Sequence, residues 1–430
     1  MSHVQQNRQR IREVCSLLRD AERPVRVLAT VAWPPEIKER FFATGAGELP
    51  RPVYPVFDPQ PTIDAVAKAR RSIGTDHPVE DWLTRLADAI EGGAHMLAAV
   101  GTPAFFEQSR LLFGAPTDPL RDESSNSLEL ARSFHLVLDD LTHVDLGAPP
   151  DAGVPADVLA EQMTAAVREH FGDQAPTVEV VDRLSANALA GPGRIRIRRG
   201  ACFTDRDVVQ LINHEAYVHV GTSLNGLAQE DLPILAAGHA GTTRTQEGLA
   251  VFAEFISGSI ELDRLRRLAD RVVAIQMAID GANFIEVYRF FLKQTRNESQ
   301  SFENARRIYR GGVLTGGAPF TKDGVYLDGL LRVHSFLRSI VTSGRTDCLR
   351  LLFCGKLDIE DMPALVELAA AGLCRPPRYL PPWAADLRYL IAYLAYSRFL
   401  NTIDAKRIAA HYTQMLSAAP RLGSARRAEG

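Results

Sequence analysis

Asn213-His214-Glu215-Ala216-Tyr217-Val218-His219 carries two histidines on one apolar-rich run, the first followed directly by a carboxylate. Zinc peptidases present two imidazoles to the metal in this way, with the glutamate placed to act on the metal's water. The usual step between the histidines is HExxH, because residues i and i+4 lie about 40° apart around an α-helix. Here the step is HExxxH, which on an undistorted helix turns the second ring about 140° from the first. A π-type bulge of one residue cancels that error, and such bulges favour functional sites. The spacing therefore predicts a distorted helix over 214–219, with His214 and His219 as metal ligands and Glu215 as the catalytic base.

Working outward, Thr204-Asp205-Arg206-Asp207 has the form of a capping box, opening a helix that runs through about Val220. Before it, Gly193–Arg199 (GRIRIRR) alternates strictly, with Ile195 and Ile197 on one face and Arg194, Arg196 and Arg198 on the other. That period is what a half-buried strand requires. Thr177–Val181 reads as a second strand and Ala156–Phe171 as a helix. Downstream, Thr245-Gln246-Glu247-Gly248-Leu249-Ala250 opens another helix, with Glu247 expected in its first turn. A carboxylate on an apolar flank of small residues (Gly248, Ala250, Ala253) needs a partner, and a metal is one. The other reading is a helix-start acid that complements the dipole. Catalytic zinc commonly takes two His and one Glu and leaves a position for water, which makes Glu247 the third candidate ligand. Glu254 shares the face of Glu247 and is placed either to orient a histidine or to serve the fold alone.

Helical periodicity also marks 6–20, 63–72, 79–91 and 102–113, and later 246–259, 261–279, 281–294, 324–341, 359–372, 384–400 and 403–417. Val25–Thr30 (VRVLAT) suggests a short buried strand, and the Pro- and Gly-rich passage from Pro34 to Pro61 a loop. A second break, Leu146–Pro155 (LGAPPDAGVP), divides the 430 residues into an amino-terminal α/β subdomain (1–150) and a second domain (151–420). A lid or specificity element is the expected role of the first. The tail 421–430 (RLGSARRAEG) reads as disordered. The expected class is α+β, predominantly helical, with a small sheet ahead of the key helix.

Hydrophobic residues make up 46% and charged residues 23%, and 49 basic against 52 acidic side chains leave a net charge of -3. That balance gives no global reason to expect nucleic acid or a membrane as partner. No stretch approaches the roughly 20 apolar residues that span a bilayer. Five scattered cysteines without a CxxC pair argue against a disulfide framework or a thiolate zinc site. A polar amino terminus without a secretory run completes the expectation of a cytoplasmic protein. Gly221-Thr222-Ser223-Leu224-Asn225 fails as a nucleophile elbow at its last position, and Gly355-Lys356-Leu357 lacks the spacing of a phosphate loop.

HEAYVH followed by QEGLA resembles the QEGLA-motif metallopeptidase family, which is related to the tubulin tyrosine carboxypeptidases. The likeness extends to IRIRRGACFTDRD, TSLNG, YRGG (309–312) and FTKDGVYLDG (320–329), covering roughly residues 155–340. Where the family commonly carries a glycine in the HExxxH spacer, this chain has Ala216-Tyr217. The resemblance implies a gluzincin-like core that binds Zn2+ through His214, His219 and Glu247, with Glu215 catalytic. It implies a carboxypeptidase that acts on a peptide or protein C-terminal tail. Tyr326, in the matched FTKDGVYLDG segment, is the candidate oxyanion donor. Arg196, Arg310 and Lys322 are candidates to capture the substrate carboxylate, and the IRIRR strand is a candidate edge for β-augmentation. Near-neutral charge without a long basic extension speaks against tubulin as the target. A zinc site kept only as a scaffold, and a hydrolase of non-peptide amides, are the competing readings.

Overall fold

Capping residues and apolar stripes set most of the secondary structure of the computed structural model, which describes residues 3–141, 144, 153–182, 184 and 186–417. Helix α1 (Arg8–Glu22) buries Ile11, Val14, Cys15 and Leu18, and α2 (Pro78–Ala98) buries a longer stripe that includes Trp82, Leu86 and Ile90. Two amino-terminal expectations fail. Val25–Thr30 contains the helical turn Val27–Thr30, because no strand is at hand to pair with it among the described residues. Inside the Pro-rich passage lies the helix Pro35–Ala43, for which the ring at its first position supplies a ready-made φ. Among the described residues before 150, every regular element is helical, not α/β. The break at 146–155 falls mostly outside the described residues, as does the tail 421–430.

Helix α3 (Ala156–Phe171) then leads into a three-stranded sheet of β1 (Thr177–Val181), β2 (Ala188–Ala190) and β3 (Arg194–Arg198). Their order is β1-β3-β2, with β1 and β3 parallel and β2 antiparallel to β3. Ile195 and Ile197 are buried against α3, as the alternation requires. The IRIRR strand is therefore central, paired on both sides, and closed to β-augmentation; β1 and β2 are the edges.

Thr204 and Asp207 form the expected capping box (Asp207 N to Thr204 Oγ1 3.1 Å, Thr204 N to Asp207 Oδ2 2.9 Å) and start α4 (Asp205–Leu211). From Ile212 to Val220 the chain winds as a π-helix, a longer distortion than the one-residue bulge expected. Helix α5 (Ala240–Ile256) begins several residues earlier than its sequence pattern suggests. Glu247 consequently sits in its third turn, too far from the end to be placed there by the helix dipole. Helices α6 (Leu262–Ile279), α7 (Glu298–Tyr309) and α8 (Val325–Thr342) follow, and α9 (Leu387–Leu400) and α10 (Ala405–Ser417) end the described chain. No helix among the described residues is long and apolar enough to cross a membrane.

The largest core draws on both sides of residue 150, joining Leu18, Trp82 and Phe105 to Val218, Phe252, Phe320 and Leu337. At its centre α5 and α8 meet backbone to backbone. A Cβ on Gly248 would lie 2.3 Å from the Gly329 carbonyl oxygen, and one on Gly329 2.3 Å from the Arg244 oxygen. Gly248 follows Glu247 directly, so this contact fixes the height of that carboxylate in the fold. We expect Gly248→Ala to destabilise the protein by about 2–3 kcal/mol through overpacking, read as a lowered midpoint in urea. An unchanged midpoint would contradict the close crossing.

Candidate metal centre

His214 and His219 both lie on the π-helical segment, and its i→i+5 bonding brings the fifth residue back towards the first. Their rings stand 4.9 Å apart between centroids, nearly perpendicular. Across from them, Glu247 of α5 places Oε2 3.9 Å from His214 Nε2 and 3.8 Å from His219 Nε2. The three ligand atoms lie within 4.8 Å of one another, close enough to share one ion. The ends of residues from two helices thus converge at one point.

Behind this cluster Glu254 is fully buried, and every side of its carboxylate is engaged. Its Oε1 is 2.7 Å from His214 Nδ1, Gln210 Nε2 donates to Oε2 at 2.9 Å, and Arg264 donates through Nε and a terminal nitrogen, each at 2.9 Å. Burial alone raises the pKa of such a group, but Arg264 and His214 more than offset it and bring Glu254 down to about 2. An ionised Glu254 keeps a proton on Nδ1 and so leaves the Nε2 lone pair of His214 facing Glu247. Burial lowers the pKa of His214, and Glu254, Glu215 and Glu247 raise it above the ordinary value. His219, also buried but near His214 and Lys356, stays below its ordinary value. Burial likewise opposes charge on Glu247, yet Lys322 and the two histidines hold it well below the usual carboxylate range.

Of the remaining sequence candidates, the structure gathers some and separates others. Glu215 Oε2 accepts a 3.1 Å hydrogen bond from Ala190 N on the open edge of β2, beside the two histidines. Lys322 Nζ donates to Glu247 Oε1 at 2.6 Å and to the Tyr326 hydroxyl at 3.2 Å. That hydroxyl also accepts from Arg307 at 3.2 Å, so Tyr326 stands one residue removed from Glu247. Arg310 is buried over the Phe320 ring near Arg307 and Asp323, outside the residues that line the cleft. Burial and repulsion from Arg307 push its pKa down to about 10. Arg196 sits in the middle of β3, in register with Glu179 and Leu189, and does not line the cleft either. Neither arginine is among the residues that line the cleft, whereas Lys322 is.

Sequence patterns gave no sign of Lys356. Its Nζ donates to the His219 carbonyl (3.0 Å), Thr222 Oγ1 (2.9 Å) and Gln246 Oε1 (3.0 Å), bracing the π-helix from below. Burial pushes its pKa down to about 8, against the pull of Glu247 and Glu215. No motif announces a lysine that reaches across more than a hundred residues to a backbone oxygen.

The cluster opens into a cleft of about 610 Å³. His219, Glu247, Lys322 and Lys356 line one side, Ala190–Pro192 of the sheet edge another, and Arg19, Glu22, Val25 and Ile90 of the amino-terminal helices the third. Residues before 150 therefore supply a wall of the site.

A helical α+β protein with a His₂Glu cluster in such a cleft has a family. The chain belongs to the microtubule-associated tyrosine carboxypeptidase family, whose model matches residues 39–402. This is a family of carboxypeptidases, in agreement with the QEGLA resemblance. The match begins after α1 and ends before α10. No curated protein matches the chain individually. The family's name lends no support to the expectation that tubulin is excluded.

His239, at the start of α5, also lines the cleft, and both its ring nitrogens lack hydrogen-bond partners among the described residues. Burial pushes its pKa down to about 4. The unfolded chain takes up a proton near pH 6.5 that folded His239 refuses, so stability is complete above about 6.5 and declines towards pH 4. We expect His239→Gln to flatten that decline in urea melts of chelator-treated protein between about pH 7 and pH 5. Identical slopes for both proteins would contradict the burial of a neutral imidazole.

Proposed function

We propose that the chain is a zinc-dependent, gluzincin-like carboxypeptidase acting on the C-terminal tail of a peptide or protein. The observation that carries this is the meeting of two Nε2 atoms and Glu247 Oε2 at one point, beside Glu215 and inside a cleft. Lys322 occupies the other oxygen of Glu247, so each of the three residues offers one lone pair to the same position. Two imidazoles and one carboxylate are the donor set of catalytic zinc, whereas calcium and magnesium require more oxygen ligands. A zinc ion held by these three residues would supply a Lewis acid and would lower the pKa of a bound water towards about 7.

Glu215 takes the proton of the attacking water and returns it to the leaving amine. The Ala190 N–H orients its carboxylate, and the outward edge of β2 next to it offers backbone partners to an extended substrate. Lys322 and Arg307 both donate to the Tyr326 oxygen, which leaves its own hydroxyl hydrogen free, and we assign that hydrogen to the developing oxyanion. Of the three cationic candidates, Lys322 alone lines the cleft, and we assign it the capture of the terminal carboxylate. The substrate class is protein C-terminal tails, and net charge gives no ground for removing tubulin from it. Five free cysteines suit a reducing compartment such as the cytoplasm.

Elemental analysis of the purified protein should find one zinc per chain, lost in His219→Ala. Glu215→Gln should keep the zinc and slow release of C-terminal residues from a peptide library by on the order of 10²–10⁴-fold, read by product mass spectrometry. Undiminished cleavage by that variant would overturn the assignment of the base. A zinc-loaded wild type that cleaves no library member would favour the scaffold or non-peptide reading.

A further inference from the structure

Most of the chain hides its large apolar side chains, but the last two helices do not. Helix α9 buries Leu390 and Leu394 against the body and turns a second apolar stripe outward: Tyr389 at 65% exposure, Tyr396 at 61% and Phe399 at 58%. A helix apolar on both faces is built for a second covering. Helix α10 buries nothing, and Ile408, Tyr412, Met415 and Leu416 recur at helical spacing along one open face. These helices together hold a large share of the exposed large apolar side chains among the described residues.

Cations outnumber carboxylates around this surface. Residues 387–417 carry Arg388, Arg398, Lys406 and Arg407 against the single carboxylate Asp404, in a chain whose net charge is -3. Arg388 is paired with Asp386, one residue before α9, whereas Arg398, Lys406 and Arg407 form no ion pair among the described residues. Beside Phe399 a groove of about 700 Å³ runs between α8 and α9, with Arg338 and Arg398 in its walls and no acidic residue lining it. A second copy of the chain would set these same cations against one another. An anionic surface with an apolar layer beneath it satisfies both the stripe and the charge.

We propose that α9 and α10 form a peripheral docking surface for an anionic lipid bilayer. Tyr396, Phe399, Tyr412 and Leu416 enter the headgroup boundary, and Arg338 with Arg398 receives a lipid phosphate in the groove. Both helices lie in the interface plane, since neither is long and apolar enough to cross it. The near-neutral balance of the whole chain conceals this local excess. The groove shares no lining residue with the cleft of the metal cluster, and the proposal does not depend on the chemistry there.

The test is co-sedimentation of the full chain with vesicles of phosphatidylcholine alone or mixed with phosphatidylglycerol. The chain should pellet with the mixed vesicles and not the neutral ones, and added salt should release it. Tyr412→Glu with Leu416→Glu, on a helix that buries nothing, should abolish pelleting, as should Arg338→Glu with Arg398→Glu, with helix content by circular dichroism unchanged in each. Failure to pellet with the mixed vesicles, or equal pelleting with both kinds, overturns the proposal. So does a dimer in sedimentation velocity that Tyr412→Glu with Leu416→Glu dissolves while no vesicle is bound, because a second copy then covers the face.

Discussion

Two imidazoles five residues apart can face one point only if the helix between them is wound wider than an α-helix. Residues 212–220 meet that constraint as a π-helix, and the surroundings hold them there. Lys356 binds the His219 carbonyl from below, Thr222 bonds back to Val218, and Glu254 grips His214 through its second nitrogen. Ala216 and Tyr217 occupy the spacer without glycine's freedom, so this tertiary bracing, and not a permissive residue, keeps the winding. Every other feature of the site is arranged around that segment: α5 presents Glu247 to it, β2 lays its open edge beside Glu215, and the amino-terminal helices close the cleft.

Electrostatics around the cluster follow from burial. Glu254 and Glu247 are acids in places that resist charge, and each is kept ionised by a cation drawn from another helix, Arg264 and Lys322 respectively. Behind Tyr326, Asp323 is held well below the ordinary range by Arg307 and Arg271. Removing any one partner would strand a buried charge, which costs far more than the pair contributes. The polar core is thus positioned as a block, with little room for one member to shift alone.

Much of this was legible in the sequence. The capping box at Thr204, the alternation of Ile195 and Ile197, and the helix at 156–171 are local signals, decided by neighbours in the chain. His214, His219 and Glu247 were legible because chemistry restricts which residues can serve and at what spacing. What failed depended on contacts far away. Val25–Thr30 is too short for periodicity to separate strand from helix, and no strand among the described residues pairs with it. Helix α7 carries a weak sequence signal because its first turn is polar and rests on the Asn297 cap, its apolar stripe of Phe302, Ala305, Ile308 and Tyr309 being confined to the later turns. Charge and motif name Arg196 and Arg310 as carboxylate binders, but only the three-dimensional arrangement shows that β3 is central and that Arg310 lies over the Phe320 ring. Lys356 could not be found from spacing at all.

The central claim is that one ion is shared by two imidazoles and a carboxylate drawn from two helices. X-ray absorption at the zinc edge of the zinc-loaded chain tests it most directly. The account predicts a shell of nitrogen and oxygen at about 2.0–2.1 Å with imidazole back-scattering and no sulfur. A sulfur shell near 2.3 Å, or an ion ringed by water oxygens without imidazole, would contradict it.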